Sequence, residues 1–159
     1  VLARSSNFNG KNKTPMELVK TIIGAEYPKK VIPLIDSAKH TIFMCMFDWR
    51  WYPKDFTHPV SLFNSALLRA HRRKVEVKIL TNYAEVIEFV NALGLNAKQW
   101  PENNLLHSKF IIIDGKICIM GSHNITQSAF TSNMETSVIL DDLTDVSRFS
   151  NYFLTLWQR

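Results

Sequence analysis

The sequence predicts one α/β domain, a sheet covered by helices on both faces. Three observations lead there. Strand-like apolar runs alternate along the chain with helix-period segments, the pattern of a layered α/β domain. Two of those runs, Phe110–Ile113 and Ile117–Met120, are apolar at every position, as strands buried on both faces are. The 159 residues are 46% hydrophobic and 21% charged, an ordinary globular composition with enough chain for a sizeable core.

Taken in order, residues 1–13 are polar and read as a flexible N-terminal arm, leaving 14–159 as the folded domain. Thr14 and Pro15 have the form of a helix start, N-cap then first helical position, and the following MELVKTIIGAE reads as a short helix ending near Gly24. Lys29–Lys39 spaces Val31, Ile32, Leu34, Ile35 and Ala38 as a helix does. Thr41–Trp49 is an apolar strand, and Arg50–Pro59, with two prolines, is a loop. Val60–His71 is an amphipathic helix with Leu62, Phe63, Ala66, Leu67 and Ala70 inward. Val75–Leu80 alternates as a strand, Ala84–Leu93 is a helix closed by Gly94, and Leu95–Trp100 is a short strand. Glu135–Leu140 is a further strand, and Asp145–Gln158 a terminal helix packing Val146, Phe149, Phe153, Leu154 and Trp157.

Between the two all-apolar runs stands Asp114-Gly115, a strong short-range hairpin signal. Polar residues crowd the outer ends of that hairpin. His107 and Lys109 are two apart and share a face of an extended chain, and so do Ser122 and Asn124. A hairpin sets these pairs opposite each other, so an imidazole, an ammonium, a hydroxyl and an amide converge. Such a group suits an anionic, phosphoryl-type substrate. In open α/β sheets the site lies at the carboxyl ends of strands, which places Asp48, Trp49, Arg50, Thr81 and Asn82 near its rim. The loop Trp49-Arg50-Trp51-Tyr52-Pro53-Lys54 mixes aromatics with cations, as surfaces that stack bases and meet phosphates do. Arg50, Trp51 and Asn82 are therefore the substrate-binding candidates.

The pattern His107-x-Lys109-x4-Asp114-x6-Gly121-Ser122-x-Asn124 resembles the full HKD signature of the phospholipase D superfamily, and Glu135, two residues after Asn133, matches that family's downstream glutamate. At about 5% per residue type, six fixed identities arise by chance on the order of once in tens of millions of positions. The similarity in pattern runs from about Val31 to Trp157 and is nearest to the short, single-motif nuclease branch. The resemblance implies a mixed β-sheet flanked by helices on both faces, with 14–159 as one phospholipase D-like catalytic domain. It implies a phosphodiesterase that needs no cofactor and no metal. His107 is the implied nucleophile, forming a phosphohistidine, and Glu135 its orienter. Lys109 and Asn124 hold the non-bridging oxygens, Ser122 adds a hydrogen bond or supports its loop, and Asp114 is structural. One motif per chain, where two histidines are needed, implies a homodimer with a shared active site.

The net charge of +5 favours a polyanionic partner, a nucleic acid or an acidic membrane surface. Nucleic acid, DNA or RNA, is the expected substrate. The rival readings are a lipid phosphodiesterase that docks through Trp49–Tyr52, and a nucleic-acid-binding module with a vestigial site. Cys45 and Cys118 lie inside apolar runs and read as reduced, buried thiols. His40, His58 and His71 lack partners at metal spacing, so no zinc site is expected. His123 alternates away from Ser122 and Asn124 and reads as structural. No run of 18 apolar residues exists, so stable membrane insertion is not expected. Val1–Gly10 lacks a signal-peptide core; the expected location is the cytoplasm, with a removed upstream targeting segment as the alternative.

Overall fold

A computed structural model describes residues 20–159. The elements are β1 (Lys20–Ile23), α1 (Tyr27–Ser37), β2 (Thr41–Met46), α2 (Pro59–Arg72), β3 (Glu76–Thr81), α3 (Ile87–Ala92), β4 (Asn96–Gln99), β5 (Lys109–Ile113), β6 (Ile117–Gly121), α4 (Gln127–Thr131), β7 (Thr136–Leu140) and α5 (Leu143–Trp157). The seven strands form one sheet in the order β1-β7-β6-β5-β2-β3-β4. β2, β3 and β4 run parallel, joined through helices; every other pairing is antiparallel. The sheet is mixed, as the resemblance implied.

Both faces are buried, and the period of two sorts the side chains. Ile111 and Ile113 of β5 enter one core with Met44, Ile79 and Ile119, under α1, α2, α3 and α4. Phe110 and Ile112 enter the other with Cys45, Leu80 and Cys118, under α5. Each fully buried Ile or Phe contributes about 1.5–3 kcal/mol. A one-residue slip in β5 would exchange its two sets, so the register is strongly fixed. Burial pushes both cysteine thiols up to about 12, which keeps them protonated.

The hairpin turn is the one the sequence asks for: Asp114 and Gly115 have φ of 53° and 62°. The Asp114 side chain, expected to bond its own backbone, instead reaches the segment before β2. It accepts the N–H groups of His40 at 2.7 Å and of Lys39 and Thr41 at 2.9 Å. Partial burial opposes ionisation of this carboxyl, but the three donors outweigh it and hold its pKa below 3.8.

Several boundaries differ from expectation. The helix expected to end near Gly24 is not one over Lys20–Ile23, which is edge strand β1, paired antiparallel with β7. Thr21, Ile22 and Ile23 are β-branched, and an open strand edge outweighs four residues of helical pattern. The Thr14-Pro15 start and the 1–13 arm lie outside the described residues. α5 begins at Leu143 because Asp142 caps it, accepting the N–H groups of Thr144 and Asp145 at 3.0 Å. α4 was not expected, though Thr126 caps it through the N–H of Ala129. Leu62 and Leu154, expected inward, are exposed. Trp49 lies beyond β2, buried, with its Nε1 donating to Asn64 at 2.8 Å.

Candidate active site

Register brings the polar ends together. Met46, last in β2, pairs with Lys109, first in β5, and with Thr81, last in β3. Gly121, last in β6, pairs with Ser137 near the start of β7. The carboxyl ends of β2, β3 and β6 and the amino ends of β5 and β7 therefore share one edge. There His107, Lys109, Ser122 and Asn124 line an open cleft of about 480 Å³, with Phe47 and Phe149 as apolar walls.

Gly121 makes the close approach of β6 to β7 possible. A Cβ at this position would run into the Thr136 carbonyl and the Ser137 side chain. His107 precedes β5 and is exposed, its ring 5.1 Å from that of Phe47. Lys109 is half-buried; its Nζ donates to the His107 carbonyl at 2.7 Å and lies 5.0 Å from the Phe47 ring centroid. Burial pushes its pKa below the ordinary 10.5, and the charge of Glu135 opposes part of that shift. The Asn124 Oδ1 accepts the N–H of Asp48 at 3.1 Å, which fixes the amide. Its Nδ2 has no hydrogen-bond acceptor among the described residues, and the residue lines the cleft, so its two amide donors are unengaged.

Ser122 and Glu135 form a pair. The Ser122 hydroxyl donates to Glu135 and accepts the N–H of Thr136 at 3.1 Å. Asn133 donates to the other carboxylate oxygen of Glu135 at 3.1 Å. Ser122 thus supports its loop. Within the described residues no hydrogen bond joins Glu135 to His107, so inside one chain the expected orienter does not meet its histidine. His123 is buried and stacked on Tyr27 at 4.4 Å, with Nδ1 on the Ser137 hydroxyl and Nε2 on the Gly24 carbonyl. It is structural, as the alternation indicated.

The three substrate-binding candidates fare differently. Asn82 sits behind the cleft: its Nδ2 donates to the carbonyls of Leu106 at 2.6 Å and Phe47 at 3.2 Å, and its Oδ1 accepts the Leu106 N–H at 3.1 Å. This clamps the residue before His107 and leaves no polar atom for substrate. Arg50 is engaged by Asp48 at 2.6 Å and Glu85 at 3.4 Å, contacts that raise its pKa. Trp51 lines a neighbouring pocket rather than the cleft that holds His107 and Lys109. Sequence reasoning missed Phe47 and Phe149 as cleft walls. Phe47 ends the TIFMCMF run, which was the one available signal; Phe149 looked like any inward residue of its helix.

Among the described residues no helix is long and apolar enough to cross a membrane, and no three His, Cys, Asp or Glu residues are grouped to hold a metal ion.

Comparison with known proteins agrees with this fold. The mitochondrial cardiolipin hydrolase of Xenopus laevis is 31% identical over 109 residues, 65% of this chain and 52% of that protein. That of Chlamydomonas reinhardtii is 27% identical over 135 residues, 80% of this chain and 56% of that protein. The chain thus spans about half the length of these curated relatives. Among solved structures, the phospholipase D family member Nuc from Salmonella typhimurium superposes with a TM-score of 0.73 at 24% identity, covering 89% of this chain and 95% of its own. NucT from Helicobacter pylori superposes with a TM-score of 0.70 at 19% identity, covering 89% and 96%. The shared fold is thus that of small phospholipase D-like domains. Residues 31–157 match the family described as cardiolipin synthase, PLD-like domain, a span that takes in His107 to Glu135 and most of both cores, and the chain belongs to that family.

Proposed function

We propose that this protein is a phosphodiesterase that cleaves nucleic-acid phosphodiester bonds through a phosphohistidine, without a metal ion. The observation behind it is the convergence of an exposed imidazole, a half-buried ammonium and two unengaged amide donors in one open cleft. The His107 imidazole attacks phosphorus and the bond to the leaving oxygen breaks, that oxygen taking a proton from a second imidazole. Water, losing its proton to that same second imidazole, then attacks phosphorus and releases His107. Lys109 and Asn124 hold the non-bridging oxygens as charge builds on them, the electrostatic task a metal ion performs elsewhere.

Among the described residues no second histidine lines the cleft. His123 is buried with both ring nitrogens engaged, and His40 adjoins the Asp114 turn at the far end of β5. A homodimer that joins two clefts supplies the partner's His107. The exposed His107, lacking an orienting carboxylate inside one chain, fits a site that is completed only between two.

Nucleic acid is favoured by the charge of +5 and the open cleft with its imidazole, ammonium and amide. The names of the relatives favour a second reading, hydrolysis of cardiolipin, whose phosphodiester would meet the same side chains. The test is a panel of single-stranded DNA, duplex DNA, RNA and cardiolipin vesicles in millimolar EDTA, with wild type and His107→Ala. Cleavage of a nucleic acid in EDTA, lost in His107→Ala, is the expected result. Cleavage of vesicles alone reassigns the substrate, and activity that EDTA abolishes and Mg²⁺ restores rejects the metal-free mechanism.

A further inference from the structure

Beside the catalytic cleft lies a second concavity of about 350 Å³, between the loop after β2 and the segment after β3. Its walls are aromatic. The Trp51 ring meets Phe89 edge-on at 5.4 Å, and Tyr83 lies opposite under the guanidinium of Arg50, 4.6 Å from its centroid. Phe89 is 42% exposed although it is large and apolar, so part of this pocket residue is open to a ligand. Trp49 closes the floor and is fully buried.

The charge of this pocket selects against phosphate. Arg50 is the one cation among its lining residues, and it is already paired, with Glu85 at the rim and with Asp48 outside the pocket, so it is not free to take up a phosphate. An aromatic slot whose one cation is already paired, with a carboxylate at its rim, suits a flat, uncharged ligand that carries N–H donors. The Glu85 carboxylate, 83% exposed, is placed to accept from such a donor. A nucleobase has this chemistry: stacking faces on both sides and, in cytosine or adenine, an exocyclic amino group of the kind carboxylates accept from.

The pocket is also in the right place. Phe47 is in contact with the His107 ring at 5.1 Å and with the Tyr83 ring at 5.9 Å, so a short run of rings links the nucleophile to the slot. We propose that this pocket holds one unpaired nucleobase of the substrate strand, next to the phosphate that His107 attacks. The proposal rests on the nuclease reading above and narrows it. A base that enters the slot must leave its duplex partner, so the enzyme prefers single strands.

The experiment compares kcat/KM for wild type and Phe89→Ala on four substrates: a single-stranded oligonucleotide, its duplex, the same single strand with abasic sites, and bis(p-nitrophenyl) phosphate. Cardiolipin vesicles are the fifth arm. Phe89 is at the pocket mouth, so its truncation spares the cores; circular dichroism checks the fold. The expected result is a loss of about 5- to 100-fold on the single strand, mainly in KM, that shrinks or disappears on the abasic strand and the base-free diester. Wild type should lose a similar factor when the substrate is made abasic. Equal losses on all diesters, or equal rates on single strand and duplex, overturn the nucleobase slot while the nuclease reading stands. Cleavage of vesicles and of no oligonucleotide overturns both. If Phe89→Ala does not fold, the wild-type comparison of intact and abasic strands decides alone.

Discussion

Asn82 grips Leu106 from both sides: its side-chain nitrogen donates to the Leu106 carbonyl at 2.6 Å, and its oxygen accepts the Leu106 N–H at 3.1 Å. The clamp imitates one rung of a sheet ladder just where β5 has not yet begun. It fixes the backbone that leads into His107, and a second bond to the Phe47 carbonyl ties the same clamp to the cleft wall.

Asn82→Ala should therefore lower kcat by about 10²-fold while KM changes little, because His107, the proposed nucleophile, is displaced while Lys109 and Asn124, proposed to bind the oxygens, are not. Asn82→Asp should not rescue it, since a carboxylate cannot donate to the two carbonyls. Steady-state kinetics on one substrate measure this. A variant with normal kcat and a lower melting temperature would show that the clamp serves only stability.

Lys109 is predicted to trade stability for activity. Burial disfavours its charged form, as its lowered pKa records. Lys109→Met keeps the length and removes the charge, so the melting temperature should hold or rise while kcat falls on the order of 10²- to 10³-fold. Thermal denaturation and kinetics on the same preparation test both halves. A drop of several degrees would mean that the ammonium stabilises the fold, contrary to the desolvation argument.

Gly121→Ala should damage the site through packing. The added methyl meets the Thr136 carbonyl and Ser137, both of them part of β7, and flexible side-chain motion cannot clear the carbonyl. The expected cost is about 1–3 kcal/mol, with loss of the Ser122–Glu135 contact. Chemical denaturation gives the first number; wild-type stability in the variant would refute the close approach.

These sites show what was legible in the sequence. The hairpin was, because Asp114-Gly115 encodes a turn with two positive φ angles and the apolar runs on either side admit no other use. The meeting of His107, Lys109 and Asn124 followed from that hairpin and the period of two. Asn82 was legible as a residue at the end of β3 but not as a clamp, because its partner lies 24 positions away and a backbone group leaves no sequence signal. Lys20–Ile23 was misread for a similar reason. An edge strand is made by the neighbour it pairs with, here Thr136–Ile139, and four residues hold too little pattern to announce it. The aromatic slot needed Tyr83 and Phe89 beside Trp51, a meeting of the loop after β2 with the segment that runs from β3 into α3, which neither stretch declares.

His123 predicts acid sensitivity. Burial lowers its pKa below 6.5, although its bond to Gly24 and the charge of Glu135 oppose the shift. Above 6.5 the ring is neutral in both folded and unfolded chains and stability does not depend on it. As the pH falls below 6.5 the unfolded chain takes up a proton that the folded chain refuses, so stability falls until the lowered folded value is passed. The slope of melting temperature against pH in this window should flatten in His123→Gln, whatever the variant's stability at neutral pH. An unchanged slope would assign the acid transition to other groups.

The last prediction concerns the second histidine. If two copies of His107 act on one phosphate, one must be neutral to attack and the other cationic to protonate the leaving oxygen, and kcat/KM falls at both low and high pH. An isologous interface presents the same patch twice, so a two-fold axis through the cleft places both imidazoles without any further residue. Leu105 and Met134, flanking His107 and Glu135 in sequence, are 63% and 98% exposed and offer apolar surface for such an interface. Mixing wild-type and His107→Ala chains, refolded together to randomise the pairs, isolates the claim. A mixed dimer has one nucleophile and no acid, so only wild-type pairs turn over and total activity should follow the square of the wild-type fraction. Bis(p-nitrophenyl) phosphate sharpens the test, because its leaving group departs as an anion without a proton. Mixed dimers should release one nitrophenolate in a burst and then stall, lacking the base that activates water. Activity linear in the wild-type fraction, with no burst beyond the wild-type pairs, would place a complete catalytic site inside each chain.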